Sequence, residues 1–189
     1  MNNTLRSTAV MALLASAFMS ATASAGDTYV GLNVTSGGEA YADFAVAKHV
    51  ENYNTPRSFK LYGGTALSER YSFELGYGHF GTMKIADPTP GSDAAVRISA
   101  STWYAAGKAS LPLGDSLNVF GKLGIAANRF SAESNRLVSG VNSFVRPMFG
   151  VGADYRITDR VAGVFEYNRY GKSGNFTQQK LELGLKYSF

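Results

Sequence analysis

Acidic and basic side chains recur in this sequence at alternate positions of stretches that are otherwise apolar or glycine-rich. Glu74 lies in FELGYG, Asp154 in GADYR, Glu166 in FEYNR and Glu182 in LELGL, while Lys60, Lys108, Lys122, Arg146, Lys180 and Lys186 occupy similar settings. Carboxylates beside ammonium groups can exchange protons, or they can neutralise one another where water is excluded. Charges taken out of water are costly unless they are paired and hydrogen-bonded. The pattern therefore predicts an interlocked interior network in which Glu74, Lys108, Lys122, Asp154, Glu166 and Glu182 are the principal members. A narrow ion passage lined by the same groups is the alternative.

A second possible chemistry centres on His79. The segment 82–96 can fold back to bring Ser99 or Ser101 beside it. A serine activated by a histidine is acyl-transfer machinery, and on a lipid-facing wall it would act on lipid A. No acid is placed to orient His79, so an interfacial histidine beside incidental serines is expected, and no enzyme activity. His49, between Lys48 and Val50 with Glu51 nearby, has no evident partner.

GYGHFG at 76–81 spells a dinucleotide fingerprint, but it lies inside an alternating strand and no helix follows. GKS at 171–173 lacks the glycine that a phosphate loop requires, because Glu166 stands there. There is no cysteine, and no His/Asp/Glu group has metal-ligand spacing, so neither a metal nor a cofactor is expected. The net charge of +4 could suggest nucleic acid, but an exported barrel meets little of it, so none is expected.

The elements that would position these residues are strands. Glycine is abundant at 21 residues and aromatics reach 13%, a pairing that suits β-structure. Period-two alternation predicts eight strands near 27–35, 58–67, 71–81, 97–110, 117–129, 144–156, 161–170 and 178–189. Short turns at Ser68–Arg70, Pro112–Ser116 and Thr158–Arg160 alternate with longer connections near 36–57, 82–96, 130–143 and 171–177. Tyr71, Phe73, Leu75 and Tyr77 share one face, and Ser72, Glu74, Gly76 and Gly78 the other. The same division holds for Leu117, Val119, Leu123 and Ile125 against Asn118, Lys122 and Gly124. A soluble barrel would turn its bulky face inward. Here the inward set is small, polar or charged, so the outside must be lipid. The expected fold is all-β, an eight-stranded antiparallel up-and-down transmembrane β-barrel with short periplasmic turns and longer extracellular loops. Tyr71, Tyr155, Tyr167, Tyr187 and Phe189 fall near strand ends, where aromatic girdles sit.

The two ends carry separate signals. Residues 1–25 combine Arg6, an apolar run and a small-residue close, the layout of a secretory signal peptide cleaved between Ala25 and Gly26. The apolar run is too short for a spanning helix. Residues 26–189 would then form a single barrel domain. QQKLELGLKYSF at the far end alternates cleanly, so it is expected to close the barrel against the strand near 27–35.

FELGYGHFG, KASLPLGDSLNVFGKLG, GVGADYRITDRVAGVFEYNRYG and the terminal LGLKYSF resemble the eight-stranded transmembrane domain of the outer membrane protein A family, over about residues 58–189. The resemblance implies a Gram-negative outer-membrane location and a lumen closed by paired charges, with Glu74, Lys108, Lys122 and Asp154 in comparable places. Val164 stands where the family has an arginine. The peptidoglycan-binding domain of full-length members has no counterpart in these residues, so the resemblance does not carry wall anchoring over to them. Phe189 resembles the C-terminal aromatic read by the outer-membrane assembly machinery. Lys84, Arg97, Arg129, Arg136, Arg169 and Lys172 collect near the long-loop rim, either to pair with lipopolysaccharide phosphates or as ordinary solvated loop charge. Adhesion to a host or environmental surface through the loops, the 36–57 segment above all, is the implied role.

Overall fold

The computed structural model describes residues 28–36, 40–42, 58–86, 95–134, 140–173 and 176–189, with side chains described at 28–35, 58–81, 99–131, 143–171 and 179–189. Nine strands appear in chain order: β1 (Thr28–Ser36), β2 (Ala40–Ala42), β3 (Ser58–Ala66), β4 (Tyr71–Ala86), β5 (Ala95–Leu113), β6 (Leu117–Ser134), β7 (Gly140–Arg156), β8 (Val161–Ser173) and β9 (Phe176–Ser188). All pairings are antiparallel between neighbours, and β9 returns to pair with β1 from Tyr29↔Ser188 to Ser36↔Leu181. That last pairing closes a barrel from every strand but β2 and leaves no free edge. The remaining short strand, β2, adds to the upper end of β9 through Ala40↔Gln178, Tyr41↔Thr177 and Ala42↔Phe176.

The strands run further toward the long-loop end than the alternation predicts. β4 reaches Ala86, β5 starts at Ala95, β6 reaches Ser134 and β7 starts at Gly140. The upper sequences are mixed and glycine- or serine-containing, so backbone pairing continues after the side-chain pattern fades. Two bulges account for part of that loss. Register shifts between His79 and Thr82 on β4 and between Arg169 and Lys172 on β8, and each shift contains a glycine in the left-handed region, Gly81 at φ 78° and Gly171 at φ 80°. One extra residue exchanges the two faces, so a parity reading cannot be carried past either glycine.

The short turns are hydrogen-bonded tightly. The Leu67 and Ser68 amides both donate to the Tyr71 carbonyl, at 2.8 and 3.1 Å, and the Thr158 hydroxyl accepts from the Val161 amide at 3.0 Å. Outside the barrel, Leu61, Phe73, Leu123, Ile125, Val151 and Leu183 are exposed. Inside, charged and polar side chains are buried with the large aromatics Tyr29, Tyr62, Tyr104, Tyr170, Phe80 and Phe120. The interior aromatics correct the expectation that the inward face is only small, polar or charged.

Candidate functional site

The lumen holds the acids and bases in two linked clusters. In the central one, Lys122 Nζ donates to Glu74 Oε1 at 2.6 Å and to Glu166 Oε2 at 2.7 Å. Lys60 pairs with Glu166, and with Glu182 Oε2 at 2.5 Å. Neutral donors complete the shell. Tyr104 and Tyr29 hydroxyls donate to Glu74 at 2.6 and 3.1 Å, Asn33 Nδ2 to Glu166 at 2.8 Å, and the Tyr170 hydroxyl to Glu182 at 3.0 Å. The second cluster lies nearer the short turns, where Lys108 and Lys186 both donate to Asp154 Oδ2, at 3.0 and 2.6 Å. Lys108 also stands 3.8 Å above the Phe120 ring, and Lys122 lies 5.1 Å from it, so that ring bridges the clusters.

The six principal acids and bases expected inside are thus placed together, with Lys60 and Lys186. Lys180 is buried with its ammonium 5.5 Å from the Phe80 ring. Arg146 departs from expectation. It is exposed, with its guanidinium 5.5 Å from the Phe144 ring, and so stands apart from the buried acids.

Sequence reasoning missed the interior aromatics, although a signal for them exists. Tyr62 pairs in register with Gly31, Tyr29 with Gly64, Tyr104 with Gly76 and Phe120 with Gly152. A Cβ at Gly31, Gly64 or Gly76 would meet the facing tyrosine ring, and one at Gly152 would meet Phe120. Each glycine provides the recess its cross-strand aromatic fills. Above the ion pairs, Phe80 and Tyr170 meet with ring centroids 5.2 Å apart, and Tyr170 lies 6.2 Å from Tyr104. β4 and β8 are opposite staves of the barrel, so this contact crosses the lumen.

On the outer wall, His79 is half-buried and paired in register with Phe59 and Ser101, its ring 5.8 Å from Phe59. No hydrogen bond joins it to Ser101 among the described residues. Arg129 is exposed, and Arg169 lies 5.8 Å from the Phe149 ring. Lys84 pairs in register with Arg97, and Lys172 with Thr177, though their side chains are outside the described set. Arg136, His49, residues 43–57, Ala25 and Gly26 also lie outside the described residues. The terminal Phe189 packs edge-on against Tyr187 at 5.3 Å, and its amide donates to the Thr28 carbonyl at 3.0 Å.

A closed antiparallel barrel with an apolar exterior and an ion-paired lumen is a membrane-spanning β-barrel, since only lipid accepts such a wall. The family model for the outer membrane protein beta-barrel domain matches residues 9–189, and the chain belongs to that family. It resides in the outer membrane of a Gram-negative cell, with its wall against membrane lipid. Outer membrane protein A of Escherichia coli O157:H7 is 28% identical over 135 residues, covering 68% of this chain and 38% of that protein. The Shigella flexneri protein of the same name is 28% identical over 141 residues, covering 68% of this chain and 39% of that protein. The chain therefore spans well under half the length of these relatives. Among solved structures, the Yersinia pestis attachment invasion locus protein Ail, determined with the heparin analogue sucrose octasulfate, superposes with a TM-score of 0.59 at 12% identity, covering 88% of this chain and 100% of that one. The N-terminal barrel of Pseudomonas aeruginosa OprF gives 0.58 at 14% identity, covering 87% and 100%. At these identities the likeness is one of fold.

Proposed function

We propose that this protein is a non-enzymatic surface barrel whose work is done by its long extracellular loops, in contact with lipopolysaccharide and with host or environmental surfaces. The observation that carries the reading is the filled lumen. Ion pairs, tyrosine hydroxyls and the Phe80–Tyr170 contact occupy the interior from the short-turn cluster to the upper bulges. Eight strands enclose an interior only wide enough for side chains to fill. With the inside so occupied and the wall in lipid, the long loops are the surface left for recognition. Tyr41, Phe44 and Tyr53 give the 36–57 segment aromatic anchors of the kind that dominate binding surfaces. Attachment, as named for the Yersinia pestis barrel, is a role this fold can carry, by analogy of fold alone.

The test is to shorten 36–57 and measure cell or matrix binding by intact bacteria, with heat-modifiable gel mobility reporting whether the barrel still assembles. Loss of binding by an assembled barrel supports the reading, and undiminished binding overturns it. A narrow pore makes a different prediction. Its single-channel conductance would change on Glu74→Gln or Lys108→Met, whereas a permanently filled lumen gives no steady current in parent or variants.

A further inference from the structure

Two glycines of the outer wall make room for nothing in this chain. The inward glycines Gly31, Gly64, Gly76 and Gly152 each face an aromatic ring that an added Cβ would strike. Gly107 and Gly121 stand at outward positions instead. A Cβ at Gly121 would meet no atom within 4 Å, and one at Gly107 only the Leu123 carbonyl oxygen at 3.9 Å. Neither has a positive φ, so backbone conformation does not call for glycine there. Glycine inside a strand weakens it, and it often marks a place where a ligand comes close to the backbone.

The two glycines and Ala109 lie on adjacent register rows, Tyr71↔Ala109↔Gly121↔Val151 and Phe73↔Gly107↔Leu123↔Phe149. Small outward positions are thus bordered by aromatic rings of β4 and by bulky residues of β6 and β7. The result is a groove of about 680 Å³ in the wall, with Leu67, Tyr71, Leu123, Phe149 and Val151 among its lining residues. Leu67 and Leu123 are the most exposed large apolar side chains among the described residues. The groove opens beside a short turn, because Leu67 and Tyr71 bracket Ser68–Arg70. The Arg70 carbonyl accepts from the Ser110 amide at 2.8 Å, which sets the turn alongside Leu111 on β5. Glu69 and Arg70 bring one carboxylate and one guanidinium to this periplasmic end. Both are exposed, and neither is in an ion pair among the described residues.

We infer that this groove seats an acyl chain of a zwitterionic, amine-bearing phospholipid whose headgroup lies on the Ser68–Arg70 turn. The lipid phosphate accepts from the Arg70 guanidinium, and the lipid ammonium donates to the Glu69 carboxylate. The chain fills the space over Gly107, Ala109 and Gly121 and gains dispersion contacts with the surrounding wall. An anionic headgroup without an amine would satisfy Arg70 but set a like charge beside Glu69. A second copy of this chain, packed closely at the small residues, is the competing occupant. Lipid already surrounds the wall, and its chains enter the groove without the loss of freedom that joining two barrels costs. The site lies at the end opposite the long loops and rests on the membrane placement alone, not on the surface-barrel reading.

The experiment uses the folded protein in detergent micelles, with lipid retention and oligomeric state read together by native mass spectrometry. Phosphatidylethanolamine and phosphatidylglycerol with the same acyl chains, supplied in equal amounts, serve as probes. The parent should retain phosphatidylethanolamine about threefold better, the scale of one solvent-exposed ion pair, and Glu69→Gln should remove that preference. Gly121→Leu fills the groove and should lower retention of both lipids by about fivefold, the scale of a handful of lost dispersion contacts. Ala127→Leu, at an exposed outward position further along β6, is the control and should change neither. Equal retention by the parent, or a preference for phosphatidylglycerol, overturns the headgroup assignment. A Gly121→Leu protein that retains lipid like the parent overturns the groove. A dimer in the parent spectrum that Gly121→Leu abolishes would give the groove to a second copy and overturn the lipid identity. Heat-modifiable gel mobility confirms that each variant is folded, and Glu69→Gln lies in a turn, so the headgroup test does not depend on a change in the wall. Loop-dependent cell binding is read separately, so either reading can fail without the other.

Discussion

Lys122→Met is the most informative single change in the lumen. Lys122 is the only described cation within bonding distance of Glu74, and it shares Glu166 with Lys60. All these groups are buried, Lys122 at 3% and both glutamates at 0% exposure, so solvent screens little of the loss. Methionine keeps the length and apolar body of the side chain while removing its charge. Glu74 is then left with two tyrosine hydroxyls and, among the described residues, no cation within bonding distance, the case in which breaking a buried pair costs about 3–5 kcal/mol. Lys108→Met removes a cation of similar burial, but Asp154 keeps Lys186 at 2.6 Å, so its cost should be about 1–2 kcal/mol. The assay is urea unfolding of the barrel in lipid vesicles, where a lower midpoint at unchanged slope reads as lost stability. Adding Glu74→Gln to Lys122→Met should recover part of the loss, because the uncompensated carboxylate is gone. The reasoning is refuted if Lys122→Met lies within about 1 kcal/mol of the parent, or if Lys108→Met is the more damaging change.

Two further outcomes follow from the geometry. Gly31→Ala places a methyl group in the Tyr62 ring and should cost about 1–3 kcal/mol in the same unfolding assay, while Gly121→Ala, which opens on empty space, should stay within about 0.5 kcal/mol. Phe189→Ala gives up one edge-on ring pair, about 0.5–1.5 kcal/mol in vitro, yet should delay barrel assembly in cells far more than that loss explains, as followed by pulse-chase mobility shift. Unchanged assembly kinetics would remove Phe189 as an assembly signal.

The wall of this barrel was legible because period two is a property of each strand by itself. Tyr71, Phe73 and Glu74 declare their faces whatever they pair with, and the clean alternation of 178–189 announced a closing strand that β1 does complete. The interior was legible in charge and not in volume. Tyr29, Tyr62 and Tyr104 have the parity of the lumen, but their meaning depends on which glycine stands opposite, and register is set by barrel shear and not by local sequence. Arg146 has inward parity and pairs in register with the buried Ala126, yet its side chain is exposed, and nothing in its local sequence marks that. β4 and β8 were cut short in the reading because Gly81 and Gly171 exchange the faces in mid-strand.

Those two bulges also bear on how such a chain can diversify. Below them, the inward acids and bases are committed to partners across the lumen, so substitutions among them are tightly coupled and insertions would shift whole faces. At the bulges the pairing phase is reset by a single glycine, on opposite sides of the barrel, directly after the aromatic that meets its counterpart across the lumen. Changes in length or composition beyond that point need not propagate into the wall. The segments of β4 and β8 that follow Gly81 and Gly171 can therefore vary while the folding information below stays untouched.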